Sequence, residues 1–146
     1  MKLTVFLGGT CGSSTWRQKL MPMLSENVDA FNPVVENWTP ECQAVEDYHK
    51  AHDNVNLFVI TPETNAPYSL FEIGVEATKN PNRTVVCFLD NENGTVFEGQ
   101  QAKAVKKIKA DLKAMKVSVY DNLDELSADL NRVAEAYLVK KIEEQV

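Results

Sequence analysis

The stretch VNLFVIT, Val55 to Thr61, is apolar on both faces of an extended chain except at Asn56. A strand exposed on one face alternates apolar with polar residues, whereas one apolar on both faces belongs inside a parallel sheet, covered by helices on either side. Outward from it the same kind of run returns as LTVFLG (Leu3 to Gly8), VDAFN (Val28 to Asn32), RTVVCFL (Arg83 to Leu89) and VSVY (Val117 to Tyr120). Between these lie STWRQKLMPMLSE, TPECQAVEDYHKAHDN, SLFEIGVEATKN and GQQAKAVKKIKADLKAM, which read as helices. Alternating strands and helices are the pattern of an α/β protein with a parallel sheet.

Pro22 makes the first helix the least regular, because it removes a helical hydrogen bond. The last helix starts well: Asn122 and Glu125 stand at capping-box spacing, and Leu123, Leu126, Leu130, Val133, Tyr137 and Leu138 form one apolar stripe. That stripe is expected to cover the sheet, with its far end free to pack on another subunit. Right-handed crossovers between the strands predict a flavodoxin-like three-layer sandwich, a five-stranded parallel sheet of order 2-1-3-4-5 with helices on both faces.

The 146 residues and an apolar fraction of 44% suit one domain over 1–146 with a proper core. A net charge of -6 does not favour a nucleic-acid polymer as partner, since phosphate contacts need clustered Lys and Arg. The basic run KAVKKIKADLK, Lys103 to Lys113, reads as a solvated helix face. Cys11, Cys42 and Cys87 are odd in number and widely spaced, and with His49 and His52 they make no metal framework; a reducing cytoplasm fits them. MKLTVFLGG has too short an apolar stretch for a signal peptide, and no run approaches the roughly 20 apolar residues of a bilayer span. No membrane, metal or cofactor is expected.

In such sheets ligands bind beyond the carboxyl ends of the strands, where the strand order reverses. Four segments fall there: GGTCGSSTWR, NPVVENW, TPETNAPYSLFE and DNENGT. In the first, Gly8 and Gly9 let backbone approach a ligand, and Thr10, Ser13, Ser14 and Thr15 offer hydroxyls to oxygen atoms, phosphate included. Its spacing matches neither a Walker loop nor GxGxxG, so a plain turn and helix cap is the competing reading. In the second, Pro33 holds Asn32 extended at the sheet edge, and Trp38 is either a stacking wall or a core aromatic. In the third, Tyr68 and Ser69 begin a helix and place Glu72 in its first turn, where the helix dipole is worth about 0.3 to 1 kcal/mol to an exposed acid. Glu72 is then either ordinary helix chemistry or a reacting group. Gly74 costs about 1 kcal/mol relative to Ala inside a helix, and close approach by another group is one reason to keep it.

These segments, in this order, resemble the nucleoside 2-deoxyribosyltransferase family, in particular its small bacterial and phage-associated branch. The match runs through FLGGTCGSSTWR, DAFNPVVENW, LFVITPETNAPYSLFEIG and TVVCFL, more than half of the chain. The resemblance implies that Glu72, in FEIG, attacks the anomeric carbon of a nucleoside and that Gly8, Gly9 and Thr10 form the family's first loop; Tyr68 and Ser69 are read only as loop residues lining the site. It also implies that Asn91 and Asn93 contribute to an adjacent subunit's pocket, so that the active unit is a homo-oligomer. Three departures stand out. Family members carry an aromatic hydroxyl near the end of the first strand, where this chain has Phe6. They carry an aspartate that contacts the sugar just before the nucleophile, where it has Asn65 and Ala66. A further acid near the third strand is replaced by Asn54 or Asn56.

The chemistry implied is cleavage or transfer at the N-glycosidic bond of a (deoxy)nucleoside or nucleotide through a covalent glycosyl-enzyme. Asp53, Glu63 and water are the candidates for the proton that the departing base needs. Three other readings stay open: a nucleoside monophosphate N-glycosidase, a TIR-like NAD glycohydrolase, and a silent nucleotide-binding module.

Overall fold

A computed structural model describes all of residues 1–146. The chain runs through β1 (Leu3–Gly9), α1 (Trp16–Leu20), β2 (Val28–Phe31), α2 (Pro40–His52), β3 (Val55–Ile60), α3 (Pro67–Lys79), β4 (Thr84–Phe88), α4 (Gly99–Ala114), β5 (Ser118–Tyr120) and α5 (Leu123–Glu144). All neighbouring strands are parallel, and the five-stranded sheet has the order β2-β1-β3-β4-β5, the flavodoxin-like arrangement.

The pleat of the central strands separates two cores. Val5, Leu7, Leu57 and Val59 point to one face and pack with Trp16 and Leu20 of α1 and Leu126, Leu130 and Ala134 of α5. Phe6, Phe58 and Ile60 alternate with them, point to the other face and pack with Ile73 and Ala77 of α3 and Leu112 of α4. Every residue of β3 is buried, which is why its sequence shows no alternation. Cys87 lies in the first of these cores, and burial pushes its thiol up to about 12.

The first and last helices differ from their sequence reading. The first ends at Leu20, and Met21–Met23 continue as a tight 3-10 turn, because Pro22 cannot donate the next helical hydrogen bond. The stripe on α5 turns away from Val133, which is 46% exposed, and passes instead through Ala134, which is fully buried. A small residue is what permits that helix to lie close on the sheet. Its start is as expected: the Asn122 side chain accepts the Glu125 N–H at 2.8 Å. Lys103, Lys106, Lys107 and Lys113 of α4 are exposed, Lys109 is half-buried against Asp121, and Leu112 is the one buried residue of the helix. No helix is long and apolar enough to cross a membrane.

Leu57 is fully buried at the centre of the sheet. Leu57→Ala is expected to lower the unfolding free energy by about 2 to 5 kcal/mol, read from urea unfolding followed by circular dichroism.

Candidate active site

The order of strands reverses between β1 and β3, and two loops close over their carboxyl ends. The first leaves β1 through Gly9, whose φ is +120°; a Cβ there would stand 2.1 Å from the Val59 carbonyl oxygen. No side chain fits. The chain stays bound to β3 past the end of the strand, since the Thr10 N–H donates to Val59 O at 2.9 Å and the Thr10 hydroxyl accepts the Thr61 N–H at 3.0 Å.

Arg17 fixes the inside of this loop. Its guanidinium donates to the carbonyls of Leu7 (3.0 Å), Thr10 (2.8 Å) and Gly9 (3.3 Å), and the Trp16 indole N–H also reaches Thr10 O at 2.8 Å. The arginine is 4% exposed and pairs with no carboxylate. Burial lowers its pKa, against the opposing influence of Cys11 and Glu46. With the carbonyls turned inward, Gly12 and Ser13 form a tight turn closed by the Ser14 N–H, and the backbone N–H groups of Cys11, Gly12, Ser13 and Thr15 find no acceptor within the protein. Ser14 donates to Glu92 at 2.7 Å, and Glu92 is itself buried with its second oxygen unpartnered, so the loop is pinned to the segment after β4.

The second loop runs from Thr61 to Ala66 and enters α3. Pro67, the first helical residue, needs no N–H partner there and sets the helix start two residues before Ser69. Glu72 therefore falls in the second turn, not the first, where the pull of the helix terminus has largely faded. Its carboxylate is held instead by a side chain: Lys50 of α2 approaches Oε2 at 2.9 Å, with the two side chains 18% and 16% exposed. Burial pulls the Lys50 pKa down, but the hydrogen bond and charge of Glu72 outweigh it and leave the ammonium above its ordinary value. Gly74 has nothing within 4 Å of the place where a Cβ would stand, so no close approach within the chain explains it.

Between the two loops lies a cleft of about 420 Å³, lined by Phe6, Gly8, Gly9, Cys11, Gly12, Arg17, Pro33, Glu46, Thr64 to Ser69 and Glu72. Gly8, Gly9, Tyr68, Ser69 and Glu72 are thus brought together as expected. Asn65 and Ala66 also line it, and they bring no charge.

The remaining expected residues lie elsewhere. Thr10 is fully buried and its hydroxyl is spent on Thr61. Ser13 is exposed on the loop without lining the cleft. Asn32 accepts the Val34 N–H at 3.0 Å, closing its own turn, and Trp38 is 58% exposed outside the cleft. Asn93, at φ 52°, accepts from Lys19 at 3.1 Å, and Asn91 accepts the Gly94 N–H. Asp53 is 5% exposed at the end of α2, bound to His49, and Glu63 is absent from the lining. Of the two asparagines near β3, Asn54 accepts from Thr4, while Asn56 is buried and donates to the Lys50 carbonyl and to Glu76.

Three charged residues of this region, Arg17, Glu46 and Lys50, were not singled out from sequence. Arg17 sat inside a quoted loop, and Asp47, Lys50 and Ala51 share one helix face, but only the packing of α2 on α3 shows where that face points.

Comparison with protein-family models matches residues 2–91 to a family described as nucleoside 2-deoxyribosyltransferase like. The matched span contains every residue that lines the cleft. No curated protein matches the chain.

The two glycines give opposite expectations. Gly9→Ala is expected to disrupt the β1–β3 junction and lower the melting temperature, because the new Cβ meets backbone. Gly74→Ala is expected to raise the melting temperature in the same thermal scan, since it adds up to about 1 kcal/mol of helix propensity. The Lys50–Glu72 pair carries a pH signature: with the lysine pKa raised on folding, its stabilisation is complete below the unfolded value of about 10.4 and fades as pH rises through the folded value. Wild type and Lys50→Met, compared by urea unfolding, are expected to differ at neutral pH and to converge at strongly alkaline pH.

Proposed function

The chain belongs to the nucleoside 2-deoxyribosyltransferase-like family, and from that premise we propose that it cleaves or transfers at the N-glycosidic bond of a (deoxy)nucleoside or nucleotide, with Glu72 as nucleophile. One observation carries the reading: Glu72 lines the cleft at the reversal of strand order, with one oxygen held by Lys50 and the other without a protein partner. Loss of the base builds positive charge over the ring oxygen and anomeric carbon. A carboxylate beside them stabilises that charge and traps it as a glycosyl ester, and attack by a base or water from the other face gives retention overall. Glu46, also in the cleft lining, replaces Asp53 as the residue to test for proton delivery to the departing base.

A second observation favours nucleoside monophosphates over free nucleosides. Arg17 is a buried cation in the cleft lining with no carboxylate partner, below a loop in which the N–H groups of Cys11, Gly12, Ser13 and Thr15 are unused. A phosphate would meet both, as charge and as acceptor. Asn93 is outside the lining of this cleft, so a part for it in binding calls for the homo-oligomer that the family resemblance implies.

The test incubates the protein with deoxynucleosides, ribonucleosides, their monophosphates and NAD, with and without an acceptor base, and follows released base by chromatography. Glu72→Gln is expected to retain the fold and lose at least about 100-fold in rate, as removal of a nucleophile does. Monophosphate turnover well above nucleoside turnover supports the phosphate assignment. Nicotinamide release alone identifies an NAD glycohydrolase, and ligand binding without release identifies a silent module.

A further inference from the structure

We infer that Lys50 is the positioning residue of Glu72: it holds Oε2 from behind, so that Oε1 is the atom presented to the sugar. This rests on the glycosidic reading above. Lys50 Nζ stands 2.9 Å from Oε2 and is the one side chain that hydrogen-bonds this carboxylate, while Phe6, against whose ring the ammonium lies at 5.9 Å, brings no polar atom. Oε1 has no donor and is not sealed from solvent.

Glu72 borders two hollows. One is the cleft of about 420 Å³. The other, about 360 Å³, lies between α2 and α3 and is lined by Lys50, Asp47, Glu76 and Arg83 among others. Lys50 lines only the second, so its ammonium reaches the carboxylate from the hollow between α2 and α3. That second hollow lies behind the nucleophile. In a displacement the base departs from the sugar face opposite the attacking oxygen, so the second hollow belongs to Lys50 and not to the base.

The charge balance gives Lys50 unequal weight in the two half-reactions. In the first, an Oε1 lone pair bonds to the anomeric carbon, the C–N bond breaks, its electrons leave with the base nitrogen, and that nitrogen takes a proton from Glu46 or water. Glu72 loses its negative charge, and Lys50 is left with Asp47, 3.9 Å away, as its nearest anion. In the second, water attacks the anomeric carbon, the ester C–O bond breaks towards Glu72, and the water's proton passes to solvent. The carboxylate charge reappears beside Lys50. A cation in that place stabilises the departing carboxylate, so its loss slows release of the sugar more than its capture.

The experiment uses the full chain with the preferred substrate of the base-release assay and no acceptor base. Wild type, Lys50→Met and Lys50→Arg are compared by steady-state kinetics, by circular dichroism, and by intact mass after acid quench. Lys50→Met is expected to fold, to lose about 10- to 100-fold in kcat, and to accumulate protein heavier by one glycosyl group, with Lys50→Arg restoring most of the rate. A Lys50→Met protein with wild-type kcat, or one that loses kcat without accumulating the glycosyl adduct, overturns the assignment. Absence of wild-type turnover on every substrate sinks the glycosidic reading, and the positioning role falls with it; turnover in wild type and an unimpaired Lys50→Met sinks the positioning role alone.

Discussion

The approach of Gly9 to the backbone of Val59 is the constraint from which the cleft follows. Parallel strands lie close enough that a residue turning off β1 over β3 has no room for a side chain, and a Cβ at this position would be 2.1 Å from a carbonyl oxygen. Because glycine stands there, Thr10 stays hydrogen-bonded to β3 while the next residues swing outward. One loop thus leaves over the reversal point of the sheet, the other enters α3 beside it, and the space between them is the cleft.

Buried charge is handled differently on the two sides of that cleft. Arg17 satisfies its donors with three carbonyls, which keeps a cation in the interior without neutralising it. A planar fork with five donors suits this task, and a lysine ammonium would not span the same acceptors. Lys50 and Glu72 neutralise one another across two helices, with side-chain exposures of 18% and 16%. Removing one partner of such a pair leaves the other desolvated and alone, which makes either position sensitive to substitution. The buried Glu92 joins the system through Ser14, so the first loop is held from below by Arg17 and from the side by the segment after β4.

Helix α3 shows how a small shift in an element's start changes a residue's physics. Pro67 serves as the first helical residue, and Glu72 moves one turn inward from the helix end. Its carboxylate then meets one ammonium from α2 rather than the helix terminus. The same helix carries Gly74 on an open face, with Phe71 65% exposed nearby. The glycine is not required by anything within the chain.

The order of elements and the reversal point were legible in the sequence because hydrophobic pattern reports burial, and VNLFVIT is buried on both faces in any arrangement that satisfies it. So were the Asn122 cap, a local contact across three residues, and the place of Gly8, Gly9, Tyr68, Ser69 and Glu72 near one strand end. Pattern has no access to direction within a crowded loop. Thr10 spends its hydroxyl on the buried Thr61 N–H, where an unpaired backbone group is costly, and Asn32 closes its own exposed turn. Lys50 and Glu72 are separated by 22 positions and meet only when α2 and α3 pack on the same face of the sheet. The sequence determined which groups are available near the strand ends; the tertiary structure decided which charge each of them faces, because Coulomb energy depends on distance and burial rather than on position along the chain.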